Sequence, residues 1–230
     1  MNARRYTWLL FDADGTLFDY DKAEAGALRR AFETLRVPFQ PAYLGVYKRV
    51  NKRMWEEFEL GAVTAAMLRT KRFALLSDEI GIPFDPDAFS GLYLRFLSES
   101  ADLTDGAEGV VRALHPRHRL ALVTNGLTEV QRSRFSRAAI RDCISIVVIS
   151  DEIGAAKPHP AFFDIAFERM NQPDRNTVLM IGDSLTSDIR GGSDYGIDTC
   201  WFNPNSLPRP ADLPITYEIH ALPELLSICR

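Results

Sequence analysis

The sequence predicts an α/β protein: a Rossmann-like parallel sheet core with a helical cap domain inserted after its first strand. Three observations lead there. Short apolar runs bounded by turn residues recur at Tyr6–Phe11, Arg119–Val123, Ile144–Ile149, Thr177–Ile181 and Thr199–Phe202. Segments with helical spacing lie between most of them, including Thr128–Ala139, Pro160–Met170 and Ser187–Tyr195. Strands alternating with helices imply a parallel sheet covered on both faces. The alternation then breaks from about residue 18 to residue 101, where no convincing strand is found.

That interval reads as three helices. Tyr43, Tyr47, Val50, Met54 and Phe58 fall on a single helical stripe. Phe89, Leu92, Tyr93, Phe96 and Leu97 make another, with Asp85 or Asp87 as its start signal. The stretches "LGAVTAAML" and "EIGIPFDPD" supply breaks between helices. The expected division is therefore a core of residues 1–17 and 102–230 and a cap of residues 18–101. The cap is expected over the carboxyl ends of the strands, where open sheets of this class bind ligands. Beyond the last apolar run, "FNPNSLPRPADLP" reads as a surface loop before a final strand and helix near Ile215–Ile228.

Composition narrows the function. The chain has 230 residues, is 46% hydrophobic and carries a formal net charge of −4, with a pI near 5.6. Nothing in that balance favours nucleic acid or an anionic membrane as a partner. The longest apolar runs, such as "TVLMIG" and "ISIVVI", are far too short to span a bilayer. The start "MNARRYTWLLFDADG" lacks the apolar stretch and cleavage site of a signal peptide, so a soluble cytoplasmic protein is expected. Cys143, Cys200 and Cys229 are too widely separated for a disulfide framework or a zinc knuckle. His115, His118, His159 and His220 are scattered without metal-ligand spacing and are assigned to surface or turn positions. Gly191, Gly192 and Gly196 lack the spacing of a dinucleotide-binding turn, and no Walker motif is present.

Four stretches carry chemistry, each where a strand ends or a helix begins. They are "DADGT" (Asp12 to Thr16), "VTNG" (Val123 to Gly126), Lys157 in "AAKPHP", and "IGDSLTSDIRGG", which holds Asp183 and Asp188. Singly each has an ordinary explanation: Asp-Gly and Asn-Gly make turns, and "GDS" caps a helix. In this order, all at strand carboxyl ends, coincidence is a poor account of them. Two nearby carboxylates at the mouth of a buried strand cost roughly 4 kcal/mol at 4 Å and an effective dielectric of about 20. A cation is needed to offset that.

At these residues the chain resembles the haloacid dehalogenase superfamily phosphatases, whose motifs run DxDGT/V, a strand-end Thr or Ser, Lys, and GDxxxD. The likeness covers essentially the whole chain. It implies that Asp12 attacks phosphorus to form an aspartyl-phosphate, and that Asp14 serves as general acid and then base. It implies Mg²⁺ held by the Asp12 carboxylate, the Asp14 backbone carbonyl and Asp183, with Asp188 supporting the site. Thr124 and the Asn125 backbone N–H are expected to grip the phosphoryl oxygens, and Lys157 to neutralise phosphate and nucleophile. A phosphate dianion with Asp12 and Asp183 brings about four negative charges into one crevice, and Mg²⁺ with Lys157 returns three.

Asp14 favours phosphate chemistry, since haloacid dehalogenases need no general acid at that position. The stretch "YKRVNKRMWEEFELGAVTAAMLRTKRF" is similar to the cap of bacterial 5′-nucleotidases acting on pyrimidine monophosphates, although that branch often has a polar or acidic residue where this chain has Gly15. The implied partner is thus a small phosphate ester, a nucleotide first. Tyr47, Trp55 and Phe58 offer stacking for a base, and Asn51 and Arg49 offer hydrogen bonds, although an aromatic stripe at helical spacing is more often packing. Alternatives are a phosphoglycolate or sugar-phosphate phosphatase, a β-phosphoglucomutase-like mutase, and a catalytically silent binding module.

Overall fold

The computed structural model describes residues 6–230; the two arginines of the amino-terminal stretch lie outside the described residues. Among the described residues the first element is β1 (Trp8–Phe11), followed by four helices: α1 (Tyr20–Thr34), α2 (Ala42–Glu59), α3 (Ala65–Ile80) and α4 (Pro86–Glu99). Next come α5 (Ala107–Leu114), β2 (Arg119–Thr124), α6 (Thr128–Arg137), β3 (Ile146–Ile149), the short α7 (Ser150–Ile153) and α8 (Pro160–Arg169). β4 (Val178–Gly182) leads into a π-helical turn, Leu185–Arg190, and α9 (Gly191–Tyr195). β5 (Asp198–Phe202), β6 (Tyr217–Ile219) and α10 (Leu225–Ile228) complete the described chain.

The six strands form one sheet in the order β3-β2-β1-β4-β5-β6, and each pair of neighbours is parallel. From β1 the chain steps outward to β2 and β3, then crosses back to place β4 on the other side of β1. That reversal leaves a crevice at the carboxyl ends of β1 and β4, the usual ligand position in open sheets. Successive side chains point to opposite faces. Leu9, Phe11, Leu122 and Ile181 enter one core with Val110 and Val111 of α5. Leu10, Val123, Val178 and Met180 enter the other with Phe162 and Phe163 of α8. Burial on both faces explains why these strands read as continuous apolar runs.

Contacts divide the chain into two compact units, one of residues 1–20, 101–128 and 135–230 and the other of residues 21–100 and 129–134. The second is helical and contains α1 to α4, four helices where the sequence predicts three. The overlooked helix is α1, whose inward positions are Ala23, Glu24, Ala27, Leu28, Ala31 and Phe32. Three alanines and a glutamate make too faint an apolar stripe to stand out. Residues 129–134, which the sequence reading places in the core, group with this helical unit. Within it, Glu129 pairs with Arg69, and Ser133 Oγ donates to Ser98 O at 3.0 Å. Of the two start signals considered for α4, Asp85 is the cap, accepting from Asp87 N at 3.0 Å, with Pro86 in the first turn.

The aromatic stripe of α2 is packing. Tyr47 is fully buried and its ring stacks on Phe73, with centroids 5.6 Å apart and planes 8° off parallel. Asn51 is buried too: its Nδ2 donates to Glu24 Oε1 at 3.0 Å, and its Oδ1 accepts from Arg72 Nη1 at 2.8 Å. Tyr47 and Asn51 are therefore spent inside the helical unit and are not open to a base. Trp55 meets Phe58 edge to face at 5.6 Å against the Val50 and Met54 cluster, and Arg49 lies 3.6 Å from Glu79 on the surface. Burial pushes the Glu24 carboxyl up to about 7, against the opposing pull of Lys48 and Asn51.

Of the histidines assigned to surface or turn positions, His118 lies in the bend before β2 but not at the surface. It is buried, with Nδ1 2.8 Å from Tyr6 O and Nε2 3.2 Å from Cys229 O. The three cysteines are free and buried. No helix among the described residues is long and apolar enough to cross a membrane.

Candidate active site

Parallel register builds the site. Phe11 pairs with Ile181, and Asp12 N donates to Ile181 O at 2.9 Å, extending the ladder by one residue. Asp12, just beyond β1, and Asp183, just beyond β4, thus emerge at adjacent strand ends. The chain then turns sharply: Leu17 N and Phe18 N both donate to Ala13 O, at 3.0 and 2.8 Å. Gly15 makes the turn with φ +83, and a Cβ there would lie 2.7 Å from Asp183 Oδ2. Glycine supplies both the left-handed backbone and the space. The buried Thr16 donates Oγ1 to Asp183 Oδ1 at 3.3 Å.

Lys157 enters from the loop between α7 and α8. Asn125, just after β2, clamps its main chain twice: Nδ2 donates to Lys157 O, and Oδ1 accepts from Lys157 N, both at 2.8 Å. The Lys157 ammonium is buried, and Nζ donates to Asp12 Oδ1 at 2.7 Å, Asp188 Oδ1 at 2.6 Å and Val123 O at 2.8 Å. Those three bonds use all its protons. Asp188 sits in the π-helical turn, a form common at functional sites. Its Oδ2 accepts from Ser184 N at 3.1 Å.

The carboxylates of Asp12, Asp183 and Asp188 each offer an oxygen within 4.8 Å of the others. Three carboxylates against the one ammonium of Lys157 leave two formal negative charges. Burial, joined by the charges of Asp188 and Asp183, holds Asp12 well above the usual carboxylate range despite Lys157. Asp183 is the most open of the three, yet the protein crowding its carboxyl, together with Asp188, pushes it up to about 7. Burial alone would lower the Lys157 ammonium, but Asp12 and Asp188 outweigh it and leave its pKa raised. An all-oxygen donor set with two excess negative charges fits a hard divalent cation. Thr124, the last residue of β2, is buried, and among the described residues its Oγ1 has no hydrogen-bond partner. Such an orphan hydroxyl is costly unless a ligand meets it.

Of the residues singled out in the sequence, the structure thus brings Asp12, Asp183, Asp188 and Lys157 into direct proximity, with Thr124 and Asn125 at the neighbouring strand end. Asp14 is half-buried and stands outside the three-carboxylate group. Asn125 has a further part that sequence reasoning missed, the side-chain clamp on Lys157. Thr16 lies inside the quoted DADGT stretch but was given no role there; its bond to Asp183 is a contribution that sequence reasoning missed. Trp201, whose Nε1 donates to Asp183 O at 3.0 Å, had no sequence signal.

A family profile described as haloacid dehalogenase-like hydrolase matches residues 6–196. The protein YfnB of Bacillus subtilis is 38% identical over 225 residues, 98% of this chain and 96% of its own length. Two proteins named pyrimidine 5′-nucleotidase, YjjG of Escherichia coli and PynA of Streptococcus pneumoniae, are each 33% identical, covering 96% of this chain and 96% and 94% of their own. Among solved structures, a magnesium-bound crystal form of YfnB superposes with a TM-score of 0.92 over 98% of this chain and 99% of that one, at 38% identity.

Proposed function

This chain belongs to the haloacid dehalogenase-like hydrolase family, and we propose that it is a Mg²⁺-dependent phosphomonoesterase acting on pyrimidine nucleoside 5′-monophosphates through an aspartyl-phosphate. The observation that carries the reading is the grouping of the Asp12, Asp183 and Asp188 carboxylates, two of which, Asp12 and Asp188, pair with Lys157 Nζ. The nucleotide assignment is supported by the two near-full-length relatives named as pyrimidine 5′-nucleotidases.

In this mechanism Asp12 attacks phosphorus as the ester P–O bond breaks, and Asp14 gives its proton to the departing alcohol oxygen. Asp14 then takes a proton from water, whose oxygen attacks the acyl phosphate and frees Asp12 and inorganic phosphate. Thr124 Oγ1 and the Asn125 main-chain N–H hold phosphoryl oxygens, which gives the orphan hydroxyl its partner. Lys157 fixes the Asp12 carboxylate and balances charge, and Asp188 holds Lys157. The Asp12 and Asp183 carboxylates and the Asp14 carbonyl would hold Mg²⁺. When bound, the ion supplies the positive charge that lets an anionic nucleophile approach an anionic ester.

The test is a phosphate-release screen with Mg²⁺ across nucleotides, sugar phosphates and phosphoglycolate, ranked by kcat/KM. The highest values are expected for UMP and dTMP. A preference for phosphoglycolate or a sugar phosphate overturns the substrate assignment. Transfer of the phosphoryl group to a second hydroxyl of the product makes the protein a mutase. No release from any ester overturns the phosphatase reading.

A further inference from the structure

We infer that Trp201 is a positioning residue for the metal ligand Asp183, acting through the peptide group that joins Asp183 to Ser184. The inference rests on the Mg²⁺ reading above. Trp201 lies on β5 directly opposite Gly182, the last residue of β4. Its indole is buried, and Nε1 donates to Asp183 O at 3.0 Å. The N–H of the same peptide group belongs to Ser184 and donates to Asp188 Oδ2 at 3.1 Å. One peptide plane is thus held at both ends, by an indole on the carbonyl side and by a carboxylate of the site on the amide side.

That double hold matters because the peptide plane sets where the Asp183 side chain leaves the backbone. Rotating the plane would break both bonds and swing Asp183 away from its third tie, Thr16 Oγ1 at 3.3 Å. Two carboxylates and a bound cation must then be assembled from a loop with more freedom, which weakens binding through lost preorganisation. Packing is the competing account, since Trp201 also fills a core with Ile189, Leu213 and Ile215. A buried indole N–H needs an acceptor, but nothing in packing requires that acceptor to be the main chain of Asp183.

The two accounts part in a calorimetric titration with MgCl₂, without substrate, on the wild-type protein, Trp201→Phe and Leu213→Ala. Trp201→Phe removes the donor together with part of the ring volume in the core; Leu213→Ala removes buried volume from the same core and keeps the donor, so it controls for the loosening. The expected result is about tenfold weaker Mg²⁺ binding in Trp201→Phe, the effect of one hydrogen bond. Leu213→Ala is expected to melt at lower temperature yet bind Mg²⁺ within about twofold of wild type. Unchanged binding in Trp201→Phe, or equal weakening in both variants, overturns the positioning role. Wild-type protein that binds no Mg²⁺ overturns the metal reading itself, and the inference with it.

Discussion

Lys157 Nζ lies 2.6 Å from Asp188 Oδ1, and both side chains are 1% exposed. A buried pair of this kind resists the loss of either partner, because the survivor is left charged and desolvated. Replacing Lys157 with Met strands three carboxylates without a cation. The variant is expected to lose phosphate release and about 3–5 kcal/mol of stability in EDTA. Added Mg²⁺ should restore part of that stability, as seen in thermal melts with and without the metal. A melt in EDTA equal to wild type would show that the ammonium is not needed to balance the cluster.

Gly182 is the second sensitive position. A Cβ built there would lie 2.2 Å from Asp188 Oδ2, inside any allowed contact. Gly182→Ala must therefore displace Asp188 from Lys157 and Ser184. The expected outcome is a fall in kcat/KM of at least about 100-fold, with about 1–3 kcal/mol of destabilisation from overpacking. Phosphate-release kinetics beside urea denaturation separate the two effects. Near-normal kinetics would mean that Asp188 has slack the structure does not show.

Much of this site was legible because its residues follow strand ends that apolar runs already mark. Once β1, β2 and β4 are placed side by side, Asp12, Thr124 and Asp183 must converge, whatever the loops do. Helix α1 was not legible, because half of its inner face is alanine and one further position is a glutamate. The α2 aromatics showed the right spacing but not their destination, since Tyr47 could stack on Phe73 or on a ligand with the same sequence. His118 and Trp201 depend on partners more than ten residues away, at Cys229 O and Asp183 O. No local pattern announces such pairings.

The helical unit carries its own pH dependence. The Glu24 carboxyl is pushed up from an ordinary 4.5 to about 7, chiefly by burial. A carboxyl that binds its proton more tightly when folded gives its full stability below pH 4.5 and loses it as pH rises through 7. The difference amounts to about 3 kcal/mol. Urea denaturation from pH 4 to pH 8 should therefore show wild type losing stability relative to Glu24→Gln by about that amount. Parallel curves for the two proteins would place the Glu24 carboxylate in contact with water.

Metal binding should be visible without turnover. A ligand that binds only the folded state stabilises it by about 2.7 kcal/mol at 100 times its dissociation constant. The melting temperature is thus expected to climb with MgCl₂ in wild type and to stay flat in Asp183→Ala. Equal rises in both would assign the stabilisation to a site elsewhere.

Whether Asp12 is the nucleophile of a phosphomonoesterase is decided by kcat/KM for Mg²⁺-supported phosphate release from UMP by Asp12→Asn. Asparagine preserves shape and removes the attacking carboxylate. The expected result is a loss of at least about 10⁴-fold relative to wild type. Activity within about tenfold of wild type would contradict that role, because an amide in place of the attacking carboxylate cannot form the acyl phosphate.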